Sequence, residues 1–223
     1  LTIDGRDNDD VWRDAQPITD FHEWDPREES APRYPTEAKI AFDDRNLYVF
    51  VRAFDPEPGT IRRLLSRRDD FPPTDHIFVI LDSYHDHRTG FEFGVSPDGG
   101  KWDASVSNDG DEDGSWDGVW DVATTVDSLG WTAEFRFPLS QLRYANTPTH
   151  TFGLAIGRAL EGPSKRRFAG LWPRDELPEG VPWRSSGDRA DDPLRRHRSA
   201  SRPRRAARSP RRVDAGRARR PVR

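Results

Sequence analysis

Tryptophan, carboxylate and amide side chains are concentrated in residues 102–120, which read WDASVSNDGDEDGSWDGVW. An indole ring can cover the apolar C–H face of a sugar, while carboxylates and amides hydrogen-bond to its hydroxyl groups. The stretch therefore predicts a carbohydrate-binding site in which Trp102 and Trp116 are the stacking rings. The hydrogen-bonding residues that we predict lie at strand ends or turns, and they are Asp82, Arg88 and Asn108.

The acidic part of this stretch follows half of the pattern of a calcium-binding loop. Residues 109–114 place carboxylates at positions one, three and five of an EF-hand loop and glycine at position six. Position twelve is Trp120, where an EF-hand requires a bidentate glutamate, so a complete EF-hand is not expected. A solvated acidic turn is one interpretation. The other is a structural calcium site, for which the predicted ligands are Asp109, Asp111, Asp113 and Asp117.

Arrangements that could support catalysis are weak in this chain. Glu92 and Glu134 are the strand glutamates that could act as a glycosidase pair, but nothing in the sequence marks them as partners. His85 and His87 flank Asp86, yet no third metal ligand follows closely. The sequence contains no G-x-S-x-G, P-loop or dinucleotide-binding motif. We therefore expect this chain alone to be non-catalytic.

The elements that must position these residues are short strands. Eight or nine segments alternate between apolar and polar residues, and Ile77–Leu81 is apolar on both faces, as in a central strand. Residues 43–46 suit a hairpin turn, and helical turns are expected near residues 8–10, 61–68 and 138–143. Short strands separated by turns predict an all-β fold, an antiparallel β-sandwich of jelly-roll type.

Strand parity separates core from surface in residues 131–137. Trp131 and the apolar residues at every second position after it share one face, whereas Glu134 belongs to the other. We therefore expect Trp120 and Trp131 to lie in the core, Trp12 to plug the core as well, and the face of Glu134 to be exposed to solvent.

Charge is divided unevenly along the 223 residues. The chain has 35 Lys and Arg and 39 Asp and Glu, but residues 184–223 hold 15 Arg against 4 Asp. The first 183 residues therefore carry 20 basic and 35 acidic side chains, a net charge of −15. An acidic body argues against nucleic acid as a partner, because phosphate contacts need clustered Lys and Arg.

This division also predicts the domain organisation. We expect residues 1–183 to form one β-sandwich and residues 184–223, rich in Arg, Pro and Ala, to be a disordered tail. The tail could be an arm for an anionic surface, but we favour a frameshift product that replaces a downstream barrel or catalytic domain. The sequence contains no Cys, no Met and no apolar run of about 20 residues that could span a bilayer. Because it begins at Leu1, a signal peptide is expected to lie outside it.

Five motifs in order resemble the family 9 carbohydrate-binding module, and the resemblance covers about Leu1 to Trp172. The motifs are Ile3-Asp4-Gly5 with Trp12; Asp43-Asp44 with Leu47-Tyr48-Val49; the strand 75–82 followed by His85-Asp86-His87-Arg88-Thr89; Ser115-Trp116-Asp117 with Trp120; and Trp131-Thr132-Ala133-Glu134 with Pro138-Leu139. Their order is most similar to the form of the module that precedes an outer-membrane β-barrel in long bacterial proteins.

The resemblance implies a non-catalytic β-sandwich that binds an oligo- or polysaccharide such as xylan or cellulose, in some members at chain ends. It also implies structural calcium, and a place in a larger carbohydrate-active or surface protein that is exported to the periplasm or cell surface. Two rival classes stay open, a fragment of a glycoside hydrolase and a sugar-independent interaction domain of an outer-membrane protein. Burial of both Trp102 and Trp116 would favour the interaction domain.

Overall fold

A computed structural model describes residues 1–25, 27, 30–70, 72–108, 111–146, 150–161 and 166–171 of the chain. Within these ranges, two antiparallel sheets and very little helix confirm the predicted all-β sandwich. The larger sheet has the strand order β1-β11-β10-β4-β5-β6-β7, and the smaller sheet has the order β2-β3-β9-β8. The strands are β1 His22–Asp25, β2 Thr36–Phe42, β3 Asn46–Phe54, β4 His76–Asp82, β5 Gly90–Val95, β6 Lys101–Ser107, β7 Asp111–Asp113, β8 Asp121–Asp127, β9 Gly130–Pro138, β10 Gly153–Glu161 and β11 Arg166–Leu171.

The helical content of the described ranges is one short helix, α1 Asp10–Asp14, and two 3-10 turns at Pro58–Thr60 and Leu139–Gln141. The predicted turns near residues 8–10 and 138–143 are thus confirmed. The helical turn predicted at 61–68 is wrong: residues 61–67 form neither helix nor strand, and contacts at both ends hold the segment in place. Ile61 is buried in the core, Arg63 pairs with Asp98, and Arg68 pairs with Asp103. The predicted tail, 184–223, lies outside the described residues.

The main core fills the space between the two sheets. The inward face of β9 carries Trp131, Ala133, Phe135 and Phe137, all buried, which pack with the inward residues of β4. Trp120 is also buried and stacks on Phe135, with ring centroids 6.1 Å apart. The prediction that Trp120 and Trp131 are core residues is confirmed. Full burial of each large apolar side chain stabilises the fold by about 1.5 to 3 kcal/mol.

The outward face of the smaller sheet is covered by the N-terminal segment, so the prediction of a solvent-exposed face there is wrong. Glu134 is 0% exposed, and its Oε2 accepts hydrogen bonds from the backbone N–H groups of Asp4 and Gly5, each at 2.9 Å. Its Oε1 accepts from Trp12 Nε1 at 2.9 Å. Trp12 is buried as predicted, but against Phe50 on this outward face rather than between the sheets. A buried carboxylate with three donors is well satisfied.

Candidate functional site

The outward face of the larger sheet is apolar at its centre. β4 is buried on both faces, as predicted for a central strand. Its outward residues Phe78 and Ile80 form a cluster with Trp102 of β6 and with Ala155 and Ala159 of β10. The outward face of an antiparallel sheet is usually polar and wet. Here the five residues of the cluster are only 0% to 7% exposed, so this part of the face is shielded from solvent.

Two aromatic rings lie across glycines on this face. A Cβ added to Gly94 would lie 1.9 Å from two ring atoms of Trp102, and one added to Gly157 would lie 1.9 Å from Phe78. The register explains both contacts, since Gly94 pairs with Trp102 and Gly157 pairs with Phe78. Glycine is needed at both positions because any side chain would displace a ring.

Polar groups adjoin the Trp102 ring. The His76 ring meets it edge-on, with centroids 5.3 Å apart and an interplanar angle of 78°. His76 Nδ1 lies 3.1 Å from the carbonyl oxygen of Thr74, which fixes the imidazole orientation. Glu92 shares this outward face, because it pairs with Ile80 and with Ala104. An indole, an imidazole and a carboxylate thus occupy neighbouring positions on one face of the sheet.

The sequence analysis predicted Trp102 as a site residue. It did not predict that His76 and Glu92 would be its neighbours. The available signal was strand parity, because Glu92 and Gly94 alternate with inward residues of β5. Placing Glu92 and His76 beside Trp102 also requires the registers of β4 with β5 and of β5 with β6, which the alternation within one strand does not specify.

Trp116 lies on the inward side of the larger sheet, whereas Arg88 and Asn108 lie at one end of it. Trp116 follows β7, is half-buried, and packs against the inward residues Phe91 and Phe93, with ring centroids 4.7 and 5.8 Å away. Arg88 and Asn108 are exposed, next to the pair formed by Gly90 and Val106. That pair is four residues along β5 from Gly94, or about 13 Å. The structure therefore separates the two predicted stacking rings rather than placing them around one ligand.

Asp82 is fully buried at the end of β4 and holds the loop that follows. Its Oδ1 accepts a hydrogen bond from the Asp86 N–H at 3.2 Å, and its Oδ2 accepts one from the His87 N–H at 2.8 Å. His85 and His87 both have positive φ angles, 54° and 58°, so these bonds stabilise a conformation that L-residues seldom adopt. The geometry gives Asp82 a positioning function, and its predicted contact with sugar stays a prediction.

The predicted calcium ligands are partly committed to other contacts. Asp111 and Asp113 are exposed on β7, and Asp113 Oδ1 accepts hydrogen bonds from the backbone N–H and the hydroxyl of Ser115. These bonds lower the pKa of Asp113. Asp117 Oδ1 lies 2.5 Å from Arg68 Nη2. Among the described residues no group of three or more His, Asp or Glu could hold a metal ion, and Asp109 lies outside them. The calcium site stays a prediction.

The two strand glutamates lie on opposite sides of the sandwich. Glu92 belongs to the outward face of the larger sheet, whereas Glu134 belongs to the outward face of the smaller sheet, beneath the N-terminal segment. A glycosidase pair must flank one bond at a separation of about 5 to 9.5 Å. Two carboxylates that point away from each other across the core cannot do so.

Comparisons with known proteins agree with this architecture. Residues 3–168 match the sequence model of the family described as carbohydrate family 9 binding domain-like. A carbohydrate-binding module of family 9 from Caldicellulosiruptor kristjanssonii, in complex with glucose, has a TM-score of 0.53 and 20% identity, covering 76% of this chain and 79% of that chain. Its complex with cellotriose has a TM-score of 0.50 and 20% identity, covering 76% and 77%. At 20% sequence identity, these similarities show that the chain and the two structures share a fold.

No curated protein matches the chain. In the ranges that the structure describes, no helix has both the length and the apolar character of a membrane span.

Proposed function

Because the chain belongs to the carbohydrate family 9 binding domain-like family, we propose that it binds carbohydrate on the outward face of the larger sheet, around Trp102. We assign the binding site to this face because the Trp102 ring lies across Gly94, beside His76 and Glu92. A flat indole next to an imidazole and a carboxylate supplies the two kinds of contact that a sugar needs. The binding is non-catalytic, as the family description implies.

Each side chain has a distinct part in this proposal. The indole of Trp102 covers the C–H face of a pyranose ring, which contributes about 1 to 2 kcal/mol from the apolar area removed from water. Once this face opens, the carboxylate of Glu92 accepts a hydrogen bond from a sugar hydroxyl, and such a charge-assisted bond contributes about 1.5 to 3 kcal/mol. After the entropic cost of association, these contributions correspond to a dissociation constant in the micromolar to millimolar range.

The burial of Trp102 constrains how a sugar could reach it. Its side chain is 7% exposed, and His76 and Glu92 are each 1% exposed, so the groups over this face must move aside before a pyranose can stack there. This burial is also the observation that favours the second candidate, a sugar-independent interaction domain. That candidate is favoured when both Trp102 and Trp116 are buried. Trp116 is only half-buried, so one of the two rings meets this condition and the other does not.

The two similar solved structures suggest which ligands to test first. Their bound sugars are glucose and cellotriose, so short β-glucans are the leading class, and xylo-oligosaccharides follow from the sequence-based expectation. Export, and a downstream barrel or catalytic domain, stay predictions from the sequence.

Isothermal titration of the full chain with cellotriose, xylotriose and chitotriose tests the proposal. We expect binding to at least one sugar, a loss of affinity of at least about tenfold in Trp102→Ala and in Glu92→Gln, and no change in the distant control Leu129→Ala. Circular dichroism of each variant checks that it folds. Titration in excess chelator tests the calcium prediction separately.

Two results would contradict the proposal. If Trp116→Ala abolishes binding and folded Trp102→Ala retains it, the site lies at the loop end with Arg88 and Asn108. If no sugar releases heat in the parent chain, the interaction domain becomes the better account.

A further inference from the structure

A buried arginine crosses the space between the two sheets. Arg158 extends inward from β10 of the larger sheet and is 1% exposed. Its Nη1 donates hydrogen bonds to the carbonyl oxygens of Pro35 at 3.1 Å and Phe54 at 2.8 Å. Pro35 directly precedes β2 and Phe54 ends β3, both in the smaller sheet. Arg158 therefore joins the two sheets at the end of the sandwich where β2 begins.

The guanidinium lies over the Tyr34 ring, with Cζ 5.9 Å from the ring centroid, and its remaining edge has no hydrogen-bond acceptor among the described residues. Arg158 Nε and Nη2 are buried and have no hydrogen-bond partner in the described part of the chain. These two groups point in the same direction and form the fork that usually receives a carboxylate. Buried donors without an acceptor are rare in native proteins, because their desolvation is not compensated.

Two further buried donors without partners among the described residues lie in the smaller sheet, near the carbonyls that accept from Arg158 Nη1. Thr36 Oγ1 and Trp131 Nε1 have no hydrogen-bond partner among the described residues. Both residues pair with Ala53, one on each side, on the inward face of the smaller sheet. The carbonyl groups that accept from Arg158 Nη1 adjoin this row in sequence, since Pro35 precedes Thr36 and Phe54 follows Ala53.

The surrounding charges select the kind of acceptor that fits. Asp75 and Asp55 are both buried and both interact electrostatically with Arg158. Asp75 Oδ1 accepts a hydrogen bond from the Glu161 N–H, and Asp55 Oδ1 accepts one from the Glu57 N–H, each at 2.8 Å. A small anion would be repelled by these two carboxylates. Water can accept from the arginine fork and donate to a carboxylate at the same time.

We propose that ordered water binds between the sheets at Arg158, where it accepts hydrogen bonds from Nε and Nη2 and connects the guanidinium to Thr36 and Asp75. This end of the interior is then a hydrated polar contact between the sheets. The site is separate from the carbohydrate face, because Arg158 points inward and Trp102 points outward.

A crystal structure of the full chain tests this site directly. We expect electron density for ordered water within hydrogen-bonding distance of both Nε and Nη2, with Thr36 Oγ1 and an Asp75 carboxylate oxygen as further partners. A protein carboxylate paired directly with this fork, a chloride ion in the site, or a site without density would overturn the proposal.

A double-mutant cycle tests the same site in solution. Thr36→Val should raise the unfolding equilibrium constant about fivefold in the parent chain and should not raise it in Arg158→Met, where the water has lost its donors. Thr132→Val is the matched control, because its buried hydroxyl donates to the carbonyl of Gly5 at 2.6 Å. This control should have the same effect in both backgrounds.

An equal effect of Thr36→Val in the two backgrounds would refute the water bridge. Should Arg158→Met fail to fold, the crystal density decides the question.

Discussion

Substituting Gly94 by alanine tests whether the Trp102 ring lies across the sheet. The added Cβ would be 1.9 Å from the ring, whereas ordinary contacts begin at 3.4 Å, so the ring or the backbone must shift by about 1.5 Å. The ring cannot slide sideways freely, since Phe78 pairs with Gly94 and the His76 ring centroid is 5.3 Å away. We therefore expect the ring to lift away from the sheet.

The cost of this substitution follows from overpacking. Extra methyl groups in a well-packed region destabilise proteins by about 1 to 3 kcal/mol, and this close overlap places Gly94→Ala in the upper part of that range, at about 2 to 3 kcal/mol. For a domain of this size each kcal/mol lowers Tm by about 2 to 4 °C, so we expect a decrease of about 4 to 12 °C. Sugar affinity should decrease as well, because the stacking surface is displaced.

Calorimetric unfolding and sugar titration of Gly94→Ala provide the measurements. Gly59→Ala is the matched control, since a Cβ at Gly59 meets nothing within 4 Å. The control should keep the Tm and the sugar affinity of the parent chain. If Gly94→Ala also keeps both, the ring does not lie across Gly94 and the reasoning for the site is refuted.

Two further predictions concern buried carboxyl groups. Glu134→Ala should lower the free energy of unfolding by at least about 3 kcal/mol, because two backbone N–H groups and Trp12 lose a charged acceptor. Urea unfolding measures this, and retention of full stability would contradict it. Burial raises the pKa of Asp75 from 3.8 to about 6, so the folded chain retains a proton that the unfolded chain releases. The free energy of unfolding should therefore fall by about 3 kcal/mol as pH rises through this window and then level off. Asp75→Asn should remove that fall in urea titrations between these pH values, and a pH profile parallel to that of the parent chain would contradict the assignment.

Local periodicity predicted much of the fold. The alternation in residues 131–137 correctly placed Trp131 inward and Glu134 outward, because successive side chains of a strand point to opposite faces. The apolar segment Ile77–Leu81 correctly indicated a central strand. By contrast, β7 was not predicted, because its three residues are all acidic and all exposed, so no alternation marks it.

What covers each sheet could not be read from periodicity. Glu134 has the polar type and parity of a wet face, yet donors about 130 positions away in sequence bury it. The presence of Trp12 in the N-terminal segment indicated burial, but nothing local specified the face against which it packs. Covering segments form contacts between distant parts of the chain, and strand pattern alone does not encode which partner they meet.

Glycine spacing is the sequence signal that bears most directly on the carbohydrate face. Gly90 and Gly94 in β5, and Gly153 and Gly157 in β10, occupy outward positions on the two strands that flank β4. Glycine inside a strand destabilises it by about 0.5 to 1 kcal/mol relative to alanine, so four of them require a physical reason. Aromatic rings that lie across the backbone at Gly94 and Gly157 supply that reason for two of them. Both rings are buried, with Phe78 1% and Trp102 7% exposed, so a pyranose can stack on them only after the groups over this face move aside.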